Sequence, residues 1–153
     1  MEASERGAED RERLGNRIGY ELKRAQHALR LGMDEELRGL GVTTPQYAAM
    51  SVLAEEPGLS NAQLACRSFV TPQTMNQILG RLEALGLVER LEHPEHGRVL
   101  QAYLTEGGDQ LRRECTRLVI AVEERMVSGL SEEERRRLLE ALRACTDAFR
   151  DNT

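Results

Sequence analysis

Residues 71–86 read TPQTMNQILGRLEALG, and this stretch decides the fold. Thr71 suits a helix N-cap, Pro72 the first helical position, and Gly86 the position just past the end. Between these signals Met75, Ile78, Leu79, Leu82 and Leu85 recur at helical spacing. Gln73, Asn76, Gln77 and Gly80 fall on the opposite side. An apolar stripe beneath an amide-bearing first turn is what a helix needs if it is to be held from behind while reading a DNA major groove.

The flanks supply a context for that helix. Upstream, Ser60 and Gln63 form a capping-box pattern that opens a short helix with Ala62, Leu64 and Ala65 as its small apolar positions. Ser68-Phe69-Val70 connects the two, giving a helix-turn-helix. Before it, Thr43 or Thr44 caps a helix carrying Tyr47, Met50, Leu53 and Ala54, which Glu56-Pro57-Gly58 stops. Downstream, Val88 and Leu91, then Val99, Leu100, Ala102 and Leu104, predict two strands joined by the turn His93-Pro94-Glu95-His96-Gly97. That hairpin is a wing.

Both ends of the chain are long and helical. Leu14, Ile18, Leu22, Ala25, Leu29, Met33, Leu37 and Leu40 step by three or four, which predicts one helix from about Asp10 to Leu40. Gly15, Gly19 and Gly32 each weaken it by roughly 1 kcal/mol relative to Ala, so packing must compensate. Thr105 caps a helix with Leu111, Cys115, Leu118, Val122 and Met126 on one face, and Gly129 breaks it. Ser131 and Glu134 open a last helix bearing Leu138, Leu142, Cys145 and Phe149. These stripes are too long for the central module to cover. Paired with those of a second chain they would form an intertwined homodimer, with Leu14, Ile18, Leu138, Leu142, Cys145 and Phe149 at the interface.

The expected fold is therefore mostly α with a small β-hairpin (α+β), a winged helix-turn-helix module with long helical dimerisation arms. Residues 44–105 form the DNA-binding region, residues 10–40 and 106–150 the dimerisation region, and residues 1–9 a flexible N-terminus. The N-terminal segment is polar and lacks the apolar run of a signal peptide, and no stretch is long enough to span a bilayer, so a cytoplasmic protein with no membrane partner is expected. The net charge of −5 argues against a general DNA glue and for modest, salt-sensitive binding at a local site. Three scattered cysteines, Cys66, Cys115 and Cys145, give neither a disulfide framework nor a zinc knuckle. Each sits near an apolar stripe, where a free thiol is commonly a small buried hydrophobe. No phosphate loop, nucleophile elbow or metalloprotease motif is present, so no enzyme and no cofactor is expected.

From Leu14 to Phe149 the sequence resembles the MarR family of winged-helix transcription regulators. The segments that carry the likeness are LRGLGVTTPQYAAMSVL and LSNAQLACRSFVTPQTMNQILGRLEALGLVERLEHPEHGRVLQAYLT. The resemblance implies a homodimer on a pseudo-palindromic operator, a repressor released by a small molecule. One position departs from the family pattern. Many members carry an Asp two residues before the wing-tip Arg and use it to hold that Arg; His96 stands there, before Gly97 and Arg98. The cysteine that peroxide-sensing members keep in the first helix is also missing, as is the Trp of urate-type sites.

Gln73, Asn76 and Gln77 are the expected base readers, since an amide can bond bidentately to adenine. The ordinary alternative is a solvated helix face. Thr71, Thr74 and Arg81 flank them and suit phosphate contacts, as do Ser60 and Asn61 at the start of the preceding helix, where simple capping is the equal alternative. Arg98 is the minor-groove candidate at the wing tip, and Arg90 at its base either meets phosphate or braces the hairpin, bracing being preferred. His93 and His96 form an H-x-x-H in a turn, more often turn chemistry than a metal site, so no metal is assigned. Tyr20, His27, Tyr47 and Met50 lie where the family places its effector pocket, for a small apolar or phenolic compound; core packing competes at each. The expected partners are double-stranded DNA, a second copy of the chain and such an effector. Two other functions fit the same residues: a helical interaction protein that keeps the fold without DNA binding, and a thiol- or metal-sensing regulator.

Overall fold

A computed structural model describes Gly7 and residues 9–150. The expected flexible stretch 1–9 lies outside this range apart from Gly7 and Glu9. Helix α1 spans Ile18–Arg38, α2 Thr44–Glu55, α3 Asn61–Arg67, α4 Pro72–Ala84, α5 Glu106–Met126 and α6 Glu132–Asp147. Strands β1 (Leu59–Ser60), β2 (Val88–Glu92) and β3 (Leu100–Leu104) form one antiparallel sheet in the order β1-β3-β2.

The caps fall where the side chains dictate. Thr43, Ser60 and Ser131 form full capping boxes with Gln46, Gln63 and Glu134. Thr71 and Thr105 accept from the backbone N–H groups of Thr74 and Gly108. Gly41 and Gly86 follow α1 and α4 with φ of 70° and 71°, the left-handed turn that favours glycine after a helix.

Three expectations are corrected. The single helix over residues 10–40 is interrupted: Arg13 and Arg17 are extended around a short 3₁₀ turn at Leu14–Asn16, and α1 ends at Arg38. Among the described residues nothing lies within 4 Å of a Cβ built at Gly15 or Gly19, and Leu14 and Ile18 are exposed, so no packing there offsets the glycine cost. Gly32 does have such packing, because a Cβ at that position would lie 2.8 Å from Val122 Cγ1 on α5. Second, the hairpin is a three-stranded sheet. Leu59 and Ser60 pair with Ala102 and Gln101, and Gly58 N–H donates to the Ala102 carbonyl at 2.9 Å. Third, Ala54 and Leu85 are exposed; Ala49 takes the place of the former in the core.

The core sits where α1, α2, α4 and α5 meet. Leu37, Met50, Leu53, Leu64, Met75, Leu79, Leu82 and Cys115 are its fully buried large side chains. Met75, Leu79 and Leu82 thus anchor α4 from behind, as their spacing requires. The wing joins this core through Val88 and Ala102, both buried. By contrast α6 buries no residue against the rest of its own chain.

Candidate nucleic-acid interface

The outer face of α4 carries Gln73, Asn76 and Gln77, all exposed, directly opposite the buried Met75, Leu79 and Leu82. Neither glutamine forms a side-chain hydrogen bond among the described residues, so both amides are free to meet a ligand. Thr74 lies on the same first turn. The Thr71 hydroxyl is committed: it accepts from Thr74 N–H at 3.1 Å and donates to Thr74 Oγ1 at 3.0 Å. Arg81, further along α4, is exposed and makes no ion pair among the described residues.

The start of α3 faces the start of α4. Ser60 Oγ accepts from Gln63 N–H at 3.2 Å, which leaves its O–H able to donate. Asn61 is turned inward, its Nδ2 donating to the Pro72 carbonyl at 2.9 Å. It therefore fixes α4 relative to α3, a joint within the helix-turn-helix. The connecting turn holds Phe69 at φ 58° with its ring fully outward.

At the wing, Arg90 is a brace. Its Nε and Nη2 donate to the two carboxylate oxygens of Glu83, each at 3.2 Å, and its Nη1 donates to Asn76 Oδ1 at 3.2 Å. The hydrogen bonds from Arg90 hold the Glu83 carboxyl below the usual carboxylate range, against the opposing effect of burial. This three-residue cluster ties the end of α4 and its exposed amide face to β2. Reasoning from the sequence found Arg90 and Asn76 separately and missed Glu83. The only signal was two opposite charges seven residues apart across a glycine turn. Arg98 is exposed and unpaired among the described residues, so no neighbour replaces the acid that His96 displaces. A surface hollow lined by Ser60, Asn61, Asn76, Arg90 and Arg98 connects α3, α4 and the wing.

The turn histidines serve the backbone. His93 Nδ1 accepts from Glu95 N–H at 3.0 Å and His96 N–H at 3.2 Å. Among the described residues no group of three or more His, Cys, Asp or Glu side chains is placed to hold a metal ion. The cysteines divide: Cys115 is buried, and burial pushes its thiol up, whereas Cys66 and Cys145 are exposed rather than buried beside their stripes.

The four effector candidates do not share one surface. Met50 is sealed in the core and presents nothing to a bound molecule. Tyr47 is partly buried, its hydroxyl 3.0 Å from Thr116 Oγ1. Because Thr116 already donates to the Arg112 carbonyl, Tyr47 is the donor in that pair. Tyr20 and His27 are exposed two turns apart on α1. Between α1 and α5 lies a separate cleft of about 250 Å³ lined by Ala28, Leu29, Gly32, Val122, Arg125 and Met126.

A short helix, a turn, an exposed amide-bearing helix and a β-wing rising from its end define a winged helix-turn-helix protein. Residues 40–99 match the MarR family model. The HTH-type transcriptional repressor Rv2887 of Mycobacterium tuberculosis is 38% identical over 128 residues, covering 82% of this chain and 92% of its own length. Its structure in complex with DNA superposes with a TM-score of 0.72 at 32% identity, covering 84% of this chain and 97% of that one. Its complex with salicylic acid gives 0.72 at 35%, covering 84% and 96%. The chain belongs to the MarR family of transcriptional regulators, and it is not an enzyme.

Proposed function

We propose that the protein is a homodimeric repressor that binds a pseudo-palindromic operator and is released by a small apolar or phenolic effector. The observation that carries this reading is the α4 face: three amide side chains stand exposed above a stripe of fully buried Met and Leu. Gln73, Asn76 and Gln77 read base edges in the major groove. Thr74, Arg81, the Ser60 hydroxyl and the helix start at Thr71 contact phosphate, and Arg98 reaches the minor groove.

The dimer rests on apolar surface that one chain leaves open. Ile18 is 82% and Phe149 81% exposed, and Leu14, Leu138, Leu142 and Cys145 are exposed beside them in sequence. Residues 10–40 and 106–150 are the arms that a second copy covers, and residues 44–105 the part that meets DNA. Two copies then hold two α4 helices about one DNA turn apart, roughly 34–36 Å, or a multiple of it. The effector reading is supported by the salicylic acid complex of Rv2887; of the four candidates, the exposed Tyr20 and His27 on α1 would receive such a compound. The protein works in the cytoplasm, alongside the chromosome.

A gel shift on the DNA immediately upstream of its own gene tests this reading. Dimeric protein is expected to shift that fragment at low salt, and Gln73→Ala with Gln77→Ala is expected to abolish the shift. No shift by the dimer at low salt removes autoregulation, and the same result across genomic fragments leaves a helical interaction protein.

A further inference from the structure

Arg90 settles which way round Asn76 faces. A guanidinium carries five N–H donors and no acceptor, so the group of Asn76 that it meets at 3.2 Å must be the carbonyl oxygen. An exposed amide would otherwise be free to turn over. Here the cation is itself fixed, because Glu83 grips it through both carboxylate oxygens. The Arg90 side chain is only 21% exposed, so this is a seated group and not a mobile surface arm.

We propose that Arg90, positioned by Glu83, sets base specificity by making Asn76 a donor-only reader. This rests on the DNA-binding reading above. An unconstrained Asn engages adenine with both ends of its amide, accepting from N6 and donating to N7. In this protein the accepting end is turned to the wing and shares its oxygen with a cation, and the guanidinium hydrogens repel an incoming amino group. What Asn76 offers the groove is its NH₂. That group favours guanine, whose N7 and O6 both accept, or thymine O4 over cytosine, whose edge offers only an amino group; adenine keeps N7 as an acceptor but loses the second bond from its amino group. Arg90 thereby acts on sequence choice through Asn76.

The test uses full-length protein and an operator duplex obtained by selection, with every single-base variant measured by fluorescence anisotropy. Asn76→Ala first identifies the position it reads, as the one where discrimination disappears. There the wild type is expected to favour guanine or thymine over cytosine by about tenfold, with adenine between them. Arg90→Met, which keeps the apolar stem, is expected to shift the preference there to adenine by about tenfold, since the freed amide can bond N6 and N7 together. Glu83→Gln should relax the preference part-way. Thermal melts check each variant for folding; should Arg90→Met fail to fold, Glu83→Gln and Arg90→Lys carry the same comparison, since Lys cannot hold both partners in a fork. The proposal is overturned if Asn76→Ala changes no position, if the wild type favours adenine there, or if Arg90 variants weaken all duplexes equally and leave the profile intact. Failure of the wild type to bind any duplex is a different result, and removes the DNA-binding reading with it.

Discussion

Gly108 lies so close to Leu87 that a Cβ at position 108 would sit 2.0 Å from the Leu87 carbonyl oxygen. The same carbonyl accepts from Thr105 N–H at 3.1 Å, and the Thr105 hydroxyl donates to the Gly86 carbonyl at 2.7 Å. The start of α5 is thus bonded directly to the turn that ends α4. The arm proposed to pair with a second copy and the helix proposed to read DNA meet at this joint. We predict that Gly108→Ala destabilises the protein by about 3 kcal/mol or more, since the backbone must move to admit one methyl. Urea denaturation followed by circular dichroism measures this. A loss under about 1 kcal/mol would show that the joint yields easily, and would weaken any coupling through it.

Phe69 adopts φ 58° while 95% of its surface is exposed. A left-handed conformation costs a bulky residue roughly 1 kcal/mol, and the ring gains no burial in return. We predict that Phe69→Asn stabilises the chain by about 0.5–1 kcal/mol, because Asn tolerates that turn. A destabilised variant in the same melt would mean that the ring is buried against something, DNA-free partner surface included.

The cysteines report on assembly. Alkylation of the native protein, read by peptide mass spectrometry, should modify Cys66 readily and Cys115 only after denaturation. Cys145 lies on the apolar face of α6, so its labelling rate should fall as protein concentration rises through dimerisation. A rate independent of concentration, in a preparation that sedimentation shows to be dimeric, would move the interface elsewhere.

The Glu83–Arg90 pair has a defined pH window. The Glu83 carboxyl is held below its ordinary value by hydrogen bonds from Arg90. A depressed carboxyl contributes stability that is complete above its unfolded-state pKa and is lost as pH falls through the lowered folded value. The brace is therefore intact at neutral pH and opens only in acid. We predict that an NMR titration of the Glu83 carboxyl has a lower midpoint in the wild type than in Arg90→Met. Equal midpoints would mean that the pair does not persist in solution.

Much of the fold was legible because it is written in short-range chemistry. Thr71-Pro72, Ser60 with Gln63, Ser131 with Glu134 and Gly86 punctuate helices through local hydrogen bonds and φ preferences, and each is legible in a few adjacent residues. The stripe of Met75, Leu79 and Leu82 repeats often enough to declare a buried face. The misreadings fall where long-range packing decides. Two residues, Leu59 and Ser60, are too few for a periodic signal, so β1 appears only once β3 is beside it. The helical stripe through Leu14 continues in sequence, yet the backbone is extended at Arg13 and Arg17, where Leu14 and Ile18 stand exposed among the described residues. Met50 reads as pocket or core, with core the stronger reading, and α2 packed against α4 and α5 buries it fully. Asn76 reads as a free amide until the wing folds back and brings Arg90 to it.

In the proposed dimer, two copies of α4 read DNA at a fixed separation. Selection of bound duplexes from a random pool by the purified full-length protein tests it most directly. The expected result is enrichment of an inverted repeat whose half-site centres are about one helical turn apart or a multiple of it, with the enrichment lost in Gln73→Ala with Gln77→Ala. A pool that stays unenriched at low salt, or an enriched motif that survives that double substitution unchanged, would contradict the claim.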